Sequence, residues 1–472
     1  MERKNLILAG AVVWAAAATG WAQSTLPQDS ARQQQKAQLV RGLYTDALTH
    51  QQGYRLLESL CSEVGPRPVC SSGDARAIAW AVRKLEELPF DSVYLQEVPD
   101  NPRWVRGVET ASAVGYGKKG ALNVTALGGS VGTPGGNKGA GIRAELVEVQ
   151  NFQELDALAA AGKIAGRIVF FNRPLDPSYI NTGSAYGNAG DQRWAGAQEA
   201  GKHGAVAVLV RSLTLRADDF PHTGAMSYGD ASVKIPAAGI STQDANWLSS
   251  ELKKNPGLRV QLTLGCEMLG TCTSYNVVGE WRGTGNPEQI ALVGGHLDSW
   301  DLGTGAQDDG AGCVQSIQAL GLLMRSGYRP KRTHRVVLYA NEEFGLNGGR
   351  AYAASALSRS EVHVLAIESD GGSGTPRGFS TENAAARERL EQFKPFLAPY
   401  GLLAYSVGGS GADISALRGQ GDVVLVGLSA DSQRYFDYHH SAQDRIESIH
   451  PRELELGAAA LAALLYLFDT NP

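Results

Sequence analysis

Beyond its first two dozen residues, the 472-residue chain has no apolar run of the about 20 residues that a membrane span needs. It also lacks an excess of positive charge: 43 Lys and Arg stand against 48 Asp and Glu, a formal net charge of -5. Mild acidity argues against nucleic acid as the partner. The one basic run, Arg329, Lys331, Arg332 and Arg335, reads as a helix cap and a wetted loop. Cysteine is scarce, with five residues and no CxxC pair, so a zinc-thiolate site is disfavoured. With 43% hydrophobic and 19% charged residues the chain can bury large cores, and its length suggests two or three domains.

The exception to these absences is the N-terminus. Residues 1–22 combine a charged head at Arg3 and Lys4, an apolar run from Leu6 to Ala18, and small residues at Gly20 and Ala22. That is the pattern of a cleaved secretory signal peptide, which predicts a secreted or periplasmic protein with no membrane span in its mature chain. In an exported chain close cysteines are read as disulfides. Sequence proximity predicts Cys61 with Cys70 and Cys266 with Cys272, leaving Cys313 as an inert thiol inside a helix.

Periodicity gives an α/β chain. Residues 33–88 read as helices around a Pro-containing loop from Cys61 to Cys70, and strands follow near 92–98 and 104–111. A Gly-rich stretch, GGSVGTPGGNKG, begins near Leu127 and has the composition of a domain junction. From there to residue 264 short β runs alternate with brief helices. From about 275 onward longer strands return, at 275–281, 290–294, 335–340, 362–368 and 423–428, and Pro451 opens a last apolar helix.

Three of these strands end in chemistry. IALVGGHLDSWDLGTGAQDDGAG, residues 290–312, places His296 and Asp298 past the end of one strand and Asp308 and Asp309 at the start of the next helix. In open α/β sheets that crevice is where ligands bind. The strand at 335–340 runs into Asn341, Glu342 and Glu343, and the strand at 362–368 into Asp370. Carboxylates gathered at one sheet end need a compensating charge. A later polar segment supplies His439 and His440, whereas His203 and His222 read as ordinary solvated or satisfied histidines.

In order and spacing, His296-x-Asp298, Asp308-Asp309-x-x-Gly312, Glu342-Glu343, Asp370 and His440-Ser441-x-x-Asp444 resemble the co-catalytic dizinc exopeptidases of the aminopeptidase and glutamate-carboxypeptidase family. The rhythm GRIV, GAVAVLV, IPAAGIS resembles the protease-associated domain inserted in several exopeptidases. The resemblance implies an α/β fold with a mixed, mostly parallel sheet, helices on both faces, and an inserted β-rich domain. It divides the chain into a signal peptide at 1–22, a discontinuous zinc peptidase domain at 23–126 and 265–472, and a protease-associated domain at 127–264 that walls the cleft.

Carried over by position, the resemblance makes Asp308 the carboxylate bridging two Zn²⁺ ions, with His296 and Asp370 on one and Glu343 and His440 on the other. Glu342 becomes the general base acting on water held between the metals, and His439 a neighbour that contacts substrate or exchanges roles with His440. Asp298 is expected to take the second N–H of His296, and Asp309 to shape the turn that presents Asp308. The implied partner is a dipeptide or short peptide, with a homodimer as the implied assembly. A metal-depleted receptor-like relative and a glutaminyl-cyclase-type acyl transferase are the alternatives. Gln307 and Arg445 depart from the family pattern.

Overall fold

The structure, a computed structural model, describes residues 31–471. The signal peptide expected at 1–22 lies outside them. After helices Ala31–His50, Gln52–Ser59 and Ser72–Glu86, the chain enters a long strand β1 (Ser92–Val105) and then leaves it to build a second sheet. That sheet holds β2 (Glu109–Ala113), β3 (Ala121–Leu122), β4 (Val124–Ala126), β5 (Ile142–Val149), β6 (Ile168–Phe171), β7 (Ala207–Arg211), β8 (Ala237–Ile240) and β9 (Arg259–Leu264), in the order β3-β2-β9-β5-β6-β7-β8-β4. The chain returns through β10 (Glu267–Trp281), antiparallel to β1. It completes the first sheet with β11 (Asn286–His296), β12 (Arg332–Tyr339), β13 (Val362–Glu368), β14 (Pro376–Thr381), β15 (Ala404–Val407) and β16 (Val424–Ala430). The order there is β1-β10-β12-β11-β13-β16-β14-β15.

The central strands read as unbroken apolar runs because both faces of the sheet are covered. Successive side chains point to opposite faces. Ala291, Val293, Val336, Leu338, Leu365 and Ile367 therefore feed the core under helices Ala311–Arg325 and Pro451–Thr470. Ile290, Leu292, Val337, Tyr339 and Ala366 feed the opposite core, against helix Asn347–Ser358. The helix from Pro451 is buried along nearly its whole length, which explains its run of Ala and Leu. No helix among the described residues is long and apolar enough to cross a membrane.

The second sheet includes β2, β3 and β4 and so begins at Glu109. The Gly-rich stretch begins as a close-packed seam at residues 127–130, and only residues 134–138 are mostly exposed. A Cβ on Gly128 would lie 1.8 Å from the indole of Trp300, so only glycine lets that backbone pass the aromatic ring. The disulfide differs from the expected pairing: Cys70 bonds Cys272, 202 residues away in sequence, while Cys61, Cys266 and Cys313 are buried free thiols. Sheet register decides the pairing. Cys272 on β10 faces Asn101 on β1, and the loop before helix Ser72–Glu86 brings Cys70 to the same point. Cys61 and Cys266 instead turn into two different apolar cores.

The two sheets are joined electrostatically by Arg106, in the link between β1 and β2. It forms a two-pronged pair with Asp301 (2.8 and 2.7 Å) and a pair with Glu109 (2.8 Å), and donates to the Ala126 carbonyl at 2.9 Å. Breaking a largely buried ion-pair cluster by removing one partner costs about 2–4 kcal/mol after allowance for partial exposure.

Denatured, unreduced protein should present three reactive thiols, Cys272→Ser four and Cys266→Ser two. Cys272→Ser should also lower the unfolding free energy by about 2–5 kcal/mol in denaturant titrations. Equal thiol counts in the two variants would reject the pairing.

Candidate active site

Strand β11 lies between β12 and β13 and runs parallel to both. The chain moves from β11 to one neighbour and then to the other, so its carboxyl end is a topological switch point and opens a crevice. Register sets what lines it. His296 sits beside Tyr339, two residues before Asn341, and Gly294 sits beside Glu368, two residues before Asp370. The loop after His296 returns through Asp308 and Asp309, whose peptide bond is cis, into helix Ala311–Arg325.

Asp308 is the point of convergence. One carboxylate oxygen lies 3.2 Å from His296 Nε2, and the other lies 3.2 Å from His440 Nε2 and 3.4 Å from His439 Nε2. His296 Nε2 is 3.4 Å from Asp370 Oδ1, and His440 Nε2 is 2.9 Å from Glu343 Oε2. All five side chains expected as metal ligands are thus within one another's reach. His440 meets two of the carboxylates and the stacked His439 one, with the two ring centroids 3.5 Å apart.

These spacings suit a shared cation better than direct hydrogen bonds. Tetrahedral ligands at about 2.0–2.2 Å from zinc stand about 3.3–3.6 Å from each other. Asp308 Oδ2 and Glu343 Oε1 are buried without a hydrogen-bond donor, as ligand oxygens would be. His296, Asp308 and Asp370 could hold one ion, and Asp308, Glu343 and His440 a second. Asp309 also approaches His296 and Asp370. Its oxygens, however, already accept from the backbone N–H groups of His296 (3.1 Å) and Gly312 (2.9 Å). A Cβ on Gly312 would come within 1.7 Å of the Ser369 carbonyl, so the close approach of this helix start to the end of β13 requires glycine.

Burial drives the Asp308 carboxyl upward, but the imidazoles of His439, His296 and His440 outweigh it and hold it well below the usual carboxylate range. Glu342 goes the other way. Burial, with the nearby carboxylates of Asp370, Glu343 and Asp413, raises it well above the usual range against the pull of His296. Glu342 shares a cavity of about 440 Å³ with Asp308, Glu343, Asp370, His439 and His440.

The surroundings place Asp298 differently from expectation. His296 Nδ1 lies 3.1 Å from the Asp298 backbone carbonyl and 3.7 Å from its carboxylate. That carboxylate accepts instead from the N–H groups of Glu342 (3.0 Å) and Glu343 (3.3 Å), so Asp298 orients the imidazole through its backbone and the Glu342–Glu343 turn through its side chain.

A family model for peptidase family M28 matches residues 276–465. Carboxypeptidase Q of Homo sapiens is 35% identical over 415 residues, 88% of this chain and 84% of its own length. The chain belongs to peptidase family M28. The crystal structure of a peptidase M28 precursor from Shewanella amazonensis is 36% identical, covering 93% of this chain and 97% of its own with a TM-score of 0.86. A zinc aminopeptidase from Bacillus subtilis, 19% identical, shares the fold at a TM-score of 0.63 across 89% of this chain and 95% of its own.

Around this M28 centre the structure adds supports that spacing alone did not assign. Asp444, noted in sequence only for its distance from His440, accepts from the backbone N–H groups of Gln307 (2.6 Å) and Asp308 (3.2 Å). Gln307, an apparent departure from the family pattern, uses its amide oxygen to accept from the Ser373 N–H at 2.8 Å. Arg67 went unnoticed, because nothing in the stretch GPRPVC signals a buried cation. It is fully buried and donates to the carbonyls of Leu297 (2.5 Å), Thr304 (2.6 Å) and Gly305 (2.8 Å), tying down the loop that carries the aspartates. Replacing Asp444 with Asn keeps its shape but sets an NH2 group against one of the two N–H donors. Asp444→Asn is expected to weaken zinc binding about 10–100-fold in a metal-competition titration, with native circular dichroism retained.

Proposed function

We propose that this protein is an exported, zinc-dependent exopeptidase that hydrolyses dipeptides or short peptides. The observation that carries the reading is the convergence on Asp308: the imidazoles of His296 and His440 each stand 3.2 Å from it, and each meets a further carboxylate, Asp370 at 3.4 Å and Glu343 at 2.9 Å, with Glu342 in the same cavity but outside that set. His296, Asp308 and Asp370 would hold one zinc ion, and Asp308, Glu343 and His440 the other. Bound there, two ions supply Lewis acidity for a peptide carbonyl and lower the pKa of water toward neutrality.

The remaining chemistry belongs to the side chains. Glu342, half-buried in the cavity, takes a proton from the attacking water and passes it to the departing amine. Asp298 holds the Glu342 backbone in place for that transfer. His439, stacked on His440, faces the cavity from the side. On this reading the part of the chain that builds the second sheet acts as a protease-associated wall, since Tyr186, Arg193, Trp194, Ala225 and Met226 line the same cavity as Glu342. Export is supported by the N-terminal pattern and by the Cys70–Cys272 disulfide, which forms in oxidising compartments.

Purified mature protein is expected to release free amino acids from dipeptides, to lose that activity to a chelator and to regain it with zinc. Glu342→Gln should lower kcat by about 10²–10⁴-fold while two zinc ions remain bound. A zinc-loaded protein that cleaves no dipeptide would defeat the peptidase reading.

A further inference from the structure

Four of the five expected ligands sit where the first sheet places them. His296 ends β11, Glu343 and Asp370 follow the ends of β12 and β13, and Asp308 comes just before helix Ala311–Arg325. His440 has no such support. Between the end of β16 and the last helix the chain forms only short 3-10 turns, at Tyr435–Asp437 and Ile446–Ser448, and His440 lies between them with φ at +61°. A non-glycine residue keeps that left-handed conformation only where its surroundings impose it.

Those surroundings come from the part of the chain that builds the second sheet. The backbone N–H of Thr223 donates to the His440 carbonyl at 2.9 Å. Thr223 is itself pinned: its buried hydroxyl donates to the Ala126 carbonyl at 2.8 Å, and the N–H of His222 before it donates to the hydroxyl oxygen of Ser212, just past β7, at 2.8 Å. The Gly224 carbonyl accepts from the N–H of Gly128 at 2.9 Å, and the Gly128 carbonyl accepts from the N–H of Met226 at 3.0 Å. Residues 222–226 are thus fastened to the second sheet and to its glycine seam, and from there they reach the ligand. Gly224 also bounds the imidazole. It lies at φ +130°, and a Cβ there would come within 2.6 Å of His440 Nδ1 and 2.4 Å of Arg193 Nη1. Nδ1 is the ring nitrogen turned away from the metal position, since Nε2 faces Asp308 and Glu343.

We propose that Thr223 and Gly224 are positioning residues for His440, so that the zinc ion held by Asp308, Glu343 and His440 depends on the second sheet while the ion held by His296, Asp308 and Asp370 does not. This rests on the two-ion reading above and divides it into two unequal sites. Neither residue touches substrate or metal. Each acts through the backbone or the ring of the one ligand that no strand end or helix start carries.

The test titrates metal-free mature protein with Co²⁺, followed by visible absorption, and with Zn²⁺ against a chromophoric chelator. The wild type is expected to bind two ions, and Asp370→Asn and His440→Gln identify the two binding steps, each weakening a different one. Gly224→Ala should weaken the step identified by His440→Gln about 10–100-fold and alter its cobalt absorption, leaving the other step in place. Thr223→Val should weaken the same step, and Thr223→Ser, which keeps the hydroxyl that holds the segment, should not. The Thr223 pair decides the matter if Gly224→Ala does not fold. In variants with native circular dichroism, two steps weakened alike, or neither weakened, overturns the proposal and leaves the two-ion reading intact. A wild type that binds fewer than two ions overturns both.

Discussion

Negative charge buried at one sheet end is the constraint on which the site depends. Asp298, Asp308, Asp309, Glu342, Glu343 and Asp370 gather within a few residues of three strand ends, and an unpaired carboxylate removed from water costs several kcal/mol. The protein answers in two ways. Asp298 and Asp309 are spent on backbone N–H groups, which fix the shape of the loops. Asp308, Glu343 and Asp370 are left facing imidazoles at distances suited to a shared cation. Only the second group keeps buried oxygens without donors, so the division of labour can be read from where the hydrogen bonds go.

Holding such a cluster together requires rigidity in the segments that carry it. The strand ends are fixed by parallel pairing on both sides of β11, but the loop from Leu297 to Asp308 has no ladder to support it. Arg67 replaces that ladder by spanning three of the loop's carbonyls, and Asp444 anchors the N–H groups at the far end. Because Arg67 comes from before β1 and Asp444 from after β16, the loop is set only when distant parts of the fold have closed around it. Metal affinity and global folding are therefore coupled through these two side chains.

Much of this was legible in the sequence, for a physical reason. Unbroken apolar runs mark strands buried on both faces, and acidic or imidazole residues just past such runs lie at one sheet end, which puts His296, Glu343 and Asp370 together; Asp308, at the start of the next helix, and His440, on a later polar segment, are added by the spacing that resembles the dizinc exopeptidases. What could not be read depends on strand register and on packing between distant segments. Cys272 pairs with Cys70 because β10 lies against β1, a relation that sequence distance hides. The glycines from 127 to 139 share the composition of a linker, yet Gly128 serves close contact with Trp300. Asp298 was expected at the imidazole because it lies two residues away, but its backbone reaches His296 and its side chain turns toward the next strand end.

The placement of the second sheet bears on how the cavity is enclosed. Its attachment is stiff near the catalytic loop, where Arg106 binds Asp301 and Trp300 meets Trp104 and Phe344. It reaches the other side of the cleft through Thr182, whose hydroxyl donates to the Ser432 carbonyl at 2.6 Å, and through the stack of Tyr186 on Phe436, with centroids 4.5 Å apart. Arg193 follows the second of these anchorages in the chain and stands 3.4 Å from His440 Nδ1 without belonging to the strands of the first sheet. The two parts are joined by side-chain contacts, Arg106 with Asp301, Thr182 with Ser432 and Arg193 with His440, so a substitution in the second part can reach the carboxylate and imidazole cluster through side chains without altering the strands that carry it.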